Sequence, residues 1–201
     1  MSLRDASMNS ENSISWHAHR EAEQLADISM IDELKSFLVE KPSKEERSAA
    51  YFILGKIGTN SVSQRCATAL IKYSTIETDK YLLSNILDRI ADIPLEAEVE
   101  LDPLFLLLND KRWLVRRSAI QSLKGSENSN AETKLLDVLA AVTDPIDIVF
   151  CHSTLNRIGT RKSLPAIKQG LTSRKRDVKM SAQSAIEAIE TREDQFVSRV
   201  H

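Results

Sequence analysis

The chain has 201 residues, of which 42% are hydrophobic and 28% are charged, and its formal net charge is −2. This is the composition of a globular protein with a substantial core, and the near-neutral charge indicates no general preference for polyanions or membrane surfaces. Five glycines and five prolines are too few for the many tight turns of a sheet protein, so we expect helices.

Charge is distributed unevenly along the chain. Residues 1–108 carry 11 basic and 18 acidic side chains, and residues 109–201 carry 16 basic and 11 acidic ones, which makes about −7 and +5. In an elongated molecule this would create two surfaces of opposite sign that could steer a partner. The alternative is that both halves are simply solvated.

The cysteine pattern and the apolar runs bear on the compartment. Cys66 and Cys151 are the only cysteines, and both lie inside helical apolar patterns, which indicates buried thiols in a reducing compartment. No apolar run reaches the roughly 18–20 residues of a membrane span, and the N-terminus lacks the apolar core of a signal peptide. We therefore expect a cytoplasmic protein without a membrane segment.

Apolar residues at helical spacing predict one N-terminal helix followed by five helix pairs. After a flexible polar segment at residues 1–12, Ser13 can cap a helix whose apolar stripe includes Ala18 and Leu25. The predicted pairs are 30–39 with 44–57, 62–73 with 78–90, 98–108 with 111–123, 131–142 with 147–158, and 162–171 with 178–192. One repeat domain is thus expected over residues 13–192, with a fraying polar tail at 193–201.

The second helix of each pair carries the same pattern. If Glu46 is position 0, apolar residues face inward at positions 4, 7, 8 and 11. Position 8 is occupied by Leu54, Leu87, Leu123, Leu155 and Ile186, which are 31 to 36 residues apart. One helix pair cannot bury two apolar faces by itself, so the pairs should stack as a solenoid.

Three of the pairs share further residues. These are Arg47, Ala50, Leu54, Gly55, Ile57 and Gly58 in the first; Asp110, Trp113, Val115, Arg116, Ala119 and Leu123 in the third; and Val178, Lys179, Ala182, Ala185, Ile186 and Ile189 in the fifth. They resemble the HEAT-repeat family over residues 30–190, especially the short bacterial repeats of phycobilin lyases and related proteins. Asp79 and Asp147 depart from the family, which usually has Val there. The resemblance implies an all-α, right-handed superhelix that serves as a scaffold, with the second helices lining its concave side.

Signatures of catalysis and metal binding are missing from the sequence. It has no Gly-rich phosphate loop, no Gly-x-Ser-x-Gly motif, no paired metal-ligand cysteines and no His-Glu-x-x-His. Some HEAT-like proteins bind iron through His-Glu pairs, but no histidine here is followed by Glu. His17 and His19 point about 200° apart on a helix. We therefore predict no enzyme activity, no metal and no cofactor.

Basic residues cluster where turns are predicted. The clusters are Lys111-Arg112, Arg116-Arg117, Arg161-Lys162 and Arg174 to Arg176. They could contact phosphates, as in the HEAT-like proteins that excise alkylated DNA bases, or they could solvate turns and complement helix C-termini. That class uses groove aromatics, whereas Trp113 falls at a turn position where the family uses an aromatic for packing. Nucleic-acid binding is thus the less favoured interpretation.

Positions 2, 5, 6 and 9 of the second helices point away from the inward face and should line the concave groove. They combine aromatic, apolar and amide side chains, a mixture typical of protein interfaces. The alternative is that some of them, Phe52 and Ile120 especially, are buried between adjacent helices. The predicted partner-binding residues are Tyr51, Phe52, Tyr81, Asn85, Asp88, Arg117, Gln121, Lys124, His152 and Asn156, with Tyr51, Tyr81 and Arg117 as anchors.

The functional prediction is a non-catalytic adaptor that holds a protein partner in this groove. Two alternatives stay open. One is a lyase-like or chaperone-like factor that acts on a cofactor-bearing protein and binds its chromophore in the groove. The other is a nucleic-acid-binding protein that uses the basic turns of the C-terminal half.

Overall fold

A computed structural model describes residues 14–40 and 42–200. The polar segment predicted at residues 1–12 lies outside the described residues. The described part is all-helical and contains no strand. Its helices are α1 (Ile14–Glu23), α2 (Met30–Val39), α3 (Lys44–Ser61), α4 (Gln64–Ser74), α5 (Lys80–Ala91), α6 (Asp102–Leu107), α7 (Trp113–Ser122), α8 (Ser129–Ala141), α9 (Pro145–Ile158), α10 (Leu164–Lys168) and α11 (Arg176–Val200), with 3₁₀ turns at Arg161–Ser163 and Gln169–Thr172.

Each predicted helix pair is present, but four helices differ by more than two residues from their predicted extents. Helix α3 continues to Ser61, four residues beyond its predicted end. Helix α6 begins at Asp102 rather than near residue 98, and α10 has only five residues between two 3₁₀ turns. Pro103 and Pro165 explain both starts, because proline has no amide hydrogen and is tolerated only in the first helical turn. Helix α11 continues to Val200, beyond residue 192 where the repeat domain was predicted to end.

Side-chain caps determine where several of the second helices begin. Ser43 and Glu46 form a reciprocal capping box at the start of α3. Asp79, which the resemblance marked as a departure, caps α5 by accepting hydrogen bonds from the amides of Tyr81 (2.9 Å) and Leu82 (3.1 Å). A carboxylate is favoured at this end of a helix dipole, so an acidic residue here starts the helix where Val would not cap it.

The helices pack in a regular order. Each second helix contacts the next one along the chain: α3 contacts α5, α5 contacts α7, α7 contacts α9, and α9 contacts α11. Each first helix (α2, α4, α6, α8, α10) packs on its own second helix, and α1 packs on α3. All five position-8 residues, from Leu54 to Ile186, are buried in one hydrophobic cluster. The spacing therefore identified the core face of every second helix.

Neighbouring second helices also repeat one contact. The hydroxyls of Ser84 on α5 and Ser118 on α7 are 2.7 Å apart, and Nδ1 of His152 on α9 is 2.9 Å from the hydroxyl of Ser181 on α11. Both contacts join position 5 of one helix to position 3 of the next. The second helices thus run alongside one another in a recurring register, which brings their first turns to one edge and their last turns to the other.

Candidate interaction surface

Position 5 of the second helices is buried, contrary to the sequence-based prediction. Tyr51, Ser84, Ile120 and His152 are all buried. Ser84, Ile120 and His152 contact the following second helix, and Tyr51 contacts Tyr73 on α4 and Glu77 in the turn before α5. Gln183 has the same position on α11, the last second helix among the described residues, and is exposed. The exposure predicted for Tyr51 and His152 is therefore wrong, and the alternative that Ile120 is buried between helices is confirmed.

Tyr51 belongs to a polar cluster between α3 and the turn that precedes α5. Its hydroxyl lies 3.3 Å from a Glu77 carboxylate oxygen, and its ring packs against Tyr73 at 5.7 Å between centroids. Nε of Arg47 donates to the same carboxylate at 2.9 Å. Burial and then the Glu77 charge raise the pKa of Tyr51 to about 12. Tyr51 is therefore a neutral internal hydrogen-bond partner rather than a surface anchor.

His152 is enclosed by α9, α11 and the chain around Gly170. A Cβ atom added at Gly170 would lie 2.7 Å from Cε1 of the imidazole, so the ring is closely packed on that side. Burial lowers the pKa of His152 to about 4. The side chain is therefore neutral near pH 7 and contacts Ser181 rather than solvent.

Phe52 is partly covered by the N-terminal helix. The ring of His19 on α1 stacks on it with centroids 4.7 Å apart. Nζ of Lys56 and Cζ of Arg89 lie 5.6 and 5.5 Å from the Phe52 centroid. At this end of the predicted groove, α1 therefore covers one face of the Phe52 ring.

Arg117 makes internal ion pairs rather than presenting a free cation. Its side chain is 13% exposed, and its guanidinium donates to Asp147 at 2.7 Å and to Asp144 at 3.0 Å. The same group lies 4.9 Å from the Trp113 ring centroid and 6.0 Å from that of Phe150. Arg117 thus braces two aromatic side chains, so the prediction that it is itself an exposed anchor is wrong.

The other predicted residues are at least partly accessible. Tyr81 and Asn85 are exposed, and Asp88, Gln121, Lys124 and Asn156 are half-buried. Burial raises the pKa of Asp88, against the opposing effect of a hydrogen bond with Ser118. Only some of the predicted partner-binding residues therefore lie on the surface.

A row of large apolar side chains is exposed near the N-terminal ends of α5, α7, α9 and α11. The members of this exposed apolar row are Tyr81 (56%), Trp113 (57%), Ile146 (51%) and Met180 (57%). Trp113 lies four residues before position 2 of its helix and Ile146 lies three before it, so both share the helix face of Tyr81 and Met180. Ion pairs and hydrogen bonds hold the first turns of α5, α7 and α9 side by side.

Two of these contacts join the helix starts directly. The guanidinium of Arg112, the residue before α7, donates to the backbone oxygen of Thr78 near the start of α5 at 3.2 Å. The pair between Arg117 and Asp144 joins α7 to the residue before α9. Sequence reasoning missed Trp113 and Ile146 as surface residues because it counted only from position 2 onward. The signal was present in their spacing of three or four residues from that position.

A second feature lies at the opposite ends of the same helices. A cleft of ≈ 480 Å³ opens where α7 and α9 end against α11. Its lining is polar and basic and consists of Lys124, Gly125, Ser126, Asn156, Arg157, Ile158, Ala188 and Arg192. We call it the basic cleft. Two predicted partner-binding residues, Lys124 and Asn156, belong to it.

Comparison with protein-family models and with curated proteins identifies no relative. No family model matches the chain, and no curated protein is significantly similar to it. Among residues 14–40 and 42–200, no helix combines the length and the apolar composition needed to span a bilayer. Within that same part of the chain, no three His, Cys, Asp or Glu side chains are grouped so that they could hold a metal ion.

Proposed function

We propose that this protein is a non-catalytic scaffold that binds a protein partner through the exposed apolar row. The observation that carries the proposal is the alignment of Tyr81, Trp113, Ile146 and Met180 on one face of four consecutive second helices. Scattered apolar residues are normal on a surface, but several at the same ends of neighbouring helices favour an interaction site. Aromatic side chains are also the ones that contribute most at protein interfaces.

Trp113 is held in place by its neighbours, which favours binding. Trp113 rests against the Arg117 guanidinium, and that guanidinium is fixed by two carboxylates, Asp147 in the first turn of α9 and Asp144 just before α9. A side chain that is already ordered loses little conformational entropy when a partner covers it. The Trp113 side of the row therefore resembles a preorganised contact rather than a flexible one.

The positive charges around Tyr81 favour a partner that carries an acidic side chain. Nζ of Lys80 and Nζ of Lys44 lie 4.9 and 5.6 Å from the Tyr81 ring centroid. Lys44 is paired with Asp79, whereas Lys80 makes no ion pair among the described residues. We expect the partner segment to place apolar side chains on the row and an acidic residue beside Lys80.

The same proposal includes the arrangement of the helices as a superhelix. The ordered packing of second helices, with its recurring contact between positions 5 and 3, supports a HEAT-like, right-handed superhelix in which the row lies on the concave side. Nucleic-acid binding has weaker support, because several basic side chains of the turns are paired. Arg112 pairs with Asp110, and Arg116 and Arg117 both pair with Asp147.

The test compares two double variants in a quantitative pull-down from native lysate. Tyr81→Ala/Trp113→Ala truncates the row, and Ile76→Ala/Leu106→Ala removes two exposed apolar side chains elsewhere. We expect the first variant to lose about tenfold or more of a partner that wild type and the second variant recover equally. Equal recovery of every protein by both variants, with unchanged thermal unfolding, would overturn the proposal.

A further inference from the structure

The basic cleft has a one-sided charge. Lys124, Arg157 and Arg192 contribute three cationic groups to its lining, and no acidic side chain lines it. Lys124 does reach one carboxylate outside the lining, that of Asp92, at 3.1 Å. Both partners of this pair are more than 40% exposed, so the pair is weak and an incoming anion can share the lysine.

Helix capping explains only one of the three cations. Arg192 donates to the backbone oxygens of Asn156 (2.9 Å) and Gly159 (2.6 Å), and so neutralises the carbonyl end of α9. Arg157 lies in the last turn of α9 and makes no hydrogen bond or ion pair with any described residue. Its guanidinium and the Lys124 ammonium therefore remain available to a ligand.

The walls of the basic cleft are fixed by hydrogen bonds. The backbone oxygen of Gly125 accepts from the amide of Leu95 at 2.9 Å, and Glu127 donates back to Leu95 at 2.9 Å. On the opposite wall, the Asn156 amide group donates to the backbone oxygen of Ser184 at 2.9 Å. The cleft thus exists before any ligand enters, with Lys124 in the turn after α7, Arg157 on α9 and Arg192 on α11.

We propose that the basic cleft binds a dianionic phosphate group. A guanidinium presents a planar pair of donors that matches phosphate oxygens, and an ammonium adds a compact positive charge. A volume of ≈ 480 Å³ lies in the range of small-ligand sites, so the group can be carried by a small molecule or by a phosphorylated side chain. This inference does not depend on the proposed function, because the exposed apolar row lies at the other ends of the helices.

The experiment measures binding of inorganic pyrophosphate to the full chain by titration calorimetry. The test variant is Lys124→Gln/Arg157→Gln, and the matched control is Arg174→Gln/Lys175→Gln, which removes two exposed cations far from the cleft. We expect saturable binding by wild type and the control, and affinity at least about tenfold weaker in the test variant. Glutamine keeps the side chains polar, so loss of charge is the main change.

A second arm identifies the source of the phosphate. A short phosphoserine peptide and its unphosphorylated form replace pyrophosphate in the same titration. Tighter binding of the phosphopeptide assigns the cleft to phosphorylated side chains, and tighter binding of pyrophosphate assigns it to small molecules. Absence of saturable binding by both phosphate probes, or equal weakening in the test and control variants, overturns the inference.

Discussion

Asp147 joins two helices through one buried carboxylate. Arg116 and Arg117 of α7 approach it at 2.6 and 2.7 Å, and the carboxylate side chain is only 2% exposed. It lies in the first turn of α9, where a negative charge also complements the helix dipole. The HEAT-repeat family usually has Val at this position. In this chain, Asp147 replaces apolar packing with a cluster of ion pairs between neighbouring second helices.

We expect Asp147→Ala to lower the free energy of unfolding by about 3–5 kcal/mol, because it leaves two guanidinium groups without their buried partner. Urea unfolding at pH 7 measures the change. The matched control is Asp32→Ala, which removes an aspartate that also pairs with two basic side chains, Lys35 and Arg65, but is 67% exposed. That substitution should cost about 1 kcal/mol or less. Equal losses in the two variants would contradict the assignment.

Helix α3 approaches α5 closely at Gly55. A Cβ atom added there would lie 2.7 Å from Cβ, Cγ and Cδ of Arg89, so the Arg89 side chain of α5 packs directly against the α3 backbone at this glycine. Arg89 in turn extends toward the Phe52 ring. The glycine is therefore explained by the close approach of the Arg89 side chain and not by any need for an unusual backbone conformation.

This contact reverses the usual effect of glycine replacement in a helix. Alanine normally stabilises a helix interior by about 1 kcal/mol relative to glycine. We expect Gly55→Ala instead to destabilise the protein by about 1–3 kcal/mol, since α5 or Arg89 must move. Ala49→Gly, at an exposed position of the same helix, provides the propensity reference and should cost about 1 kcal/mol. Stabilisation by Gly55→Ala in chemical denaturation would show that the helices are farther apart.

The stability of the whole molecule should depend on His152. Its pKa is about 4 in the folded state because the ring is buried, whereas an unfolded histidine titrates near 6.5. Between these values the unfolded chain binds a proton that the folded protein does not, so stability falls as the pH falls from 6.5 to 4. The loss can reach about 3 kcal/mol and is complete near pH 4.

The measurement is urea unfolding at pH 7, 5.5 and 4.5, followed by circular dichroism. His152→Asn should be less stable than wild type at pH 7, because it loses close packing, but it should lose less stability between pH 7 and 4.5. His17→Asn replaces an exposed histidine and should retain the wild-type pH dependence. A wild-type curve no steeper than that of His152→Asn would contradict the assignment to His152.

Helix content and the core face of each helix could be predicted from the sequence, because both depend on local periodicity. Leu54, Leu87, Leu123 and Leu155 recur at one position and are all buried. The helix lengths were less predictable where proline intervened, as at Pro103. Without a breaker after Arg192, α11 simply continues.

What only the tertiary structure decided is which of the remaining side chains reach solvent. Tyr51 and His152 are polar enough for a surface, yet α4 with the turn before α5 covers Tyr51 and α11 covers His152. Helix α1 covers part of Phe52, and Asp144 and Asp147 pair with Arg117. Trp113, expected to pack, is exposed instead. The apolar stripe of a helix is determined by the residues of that helix. Whether the positions beside the stripe are buried depends on neighbouring helices, which are about thirty residues away in the chain.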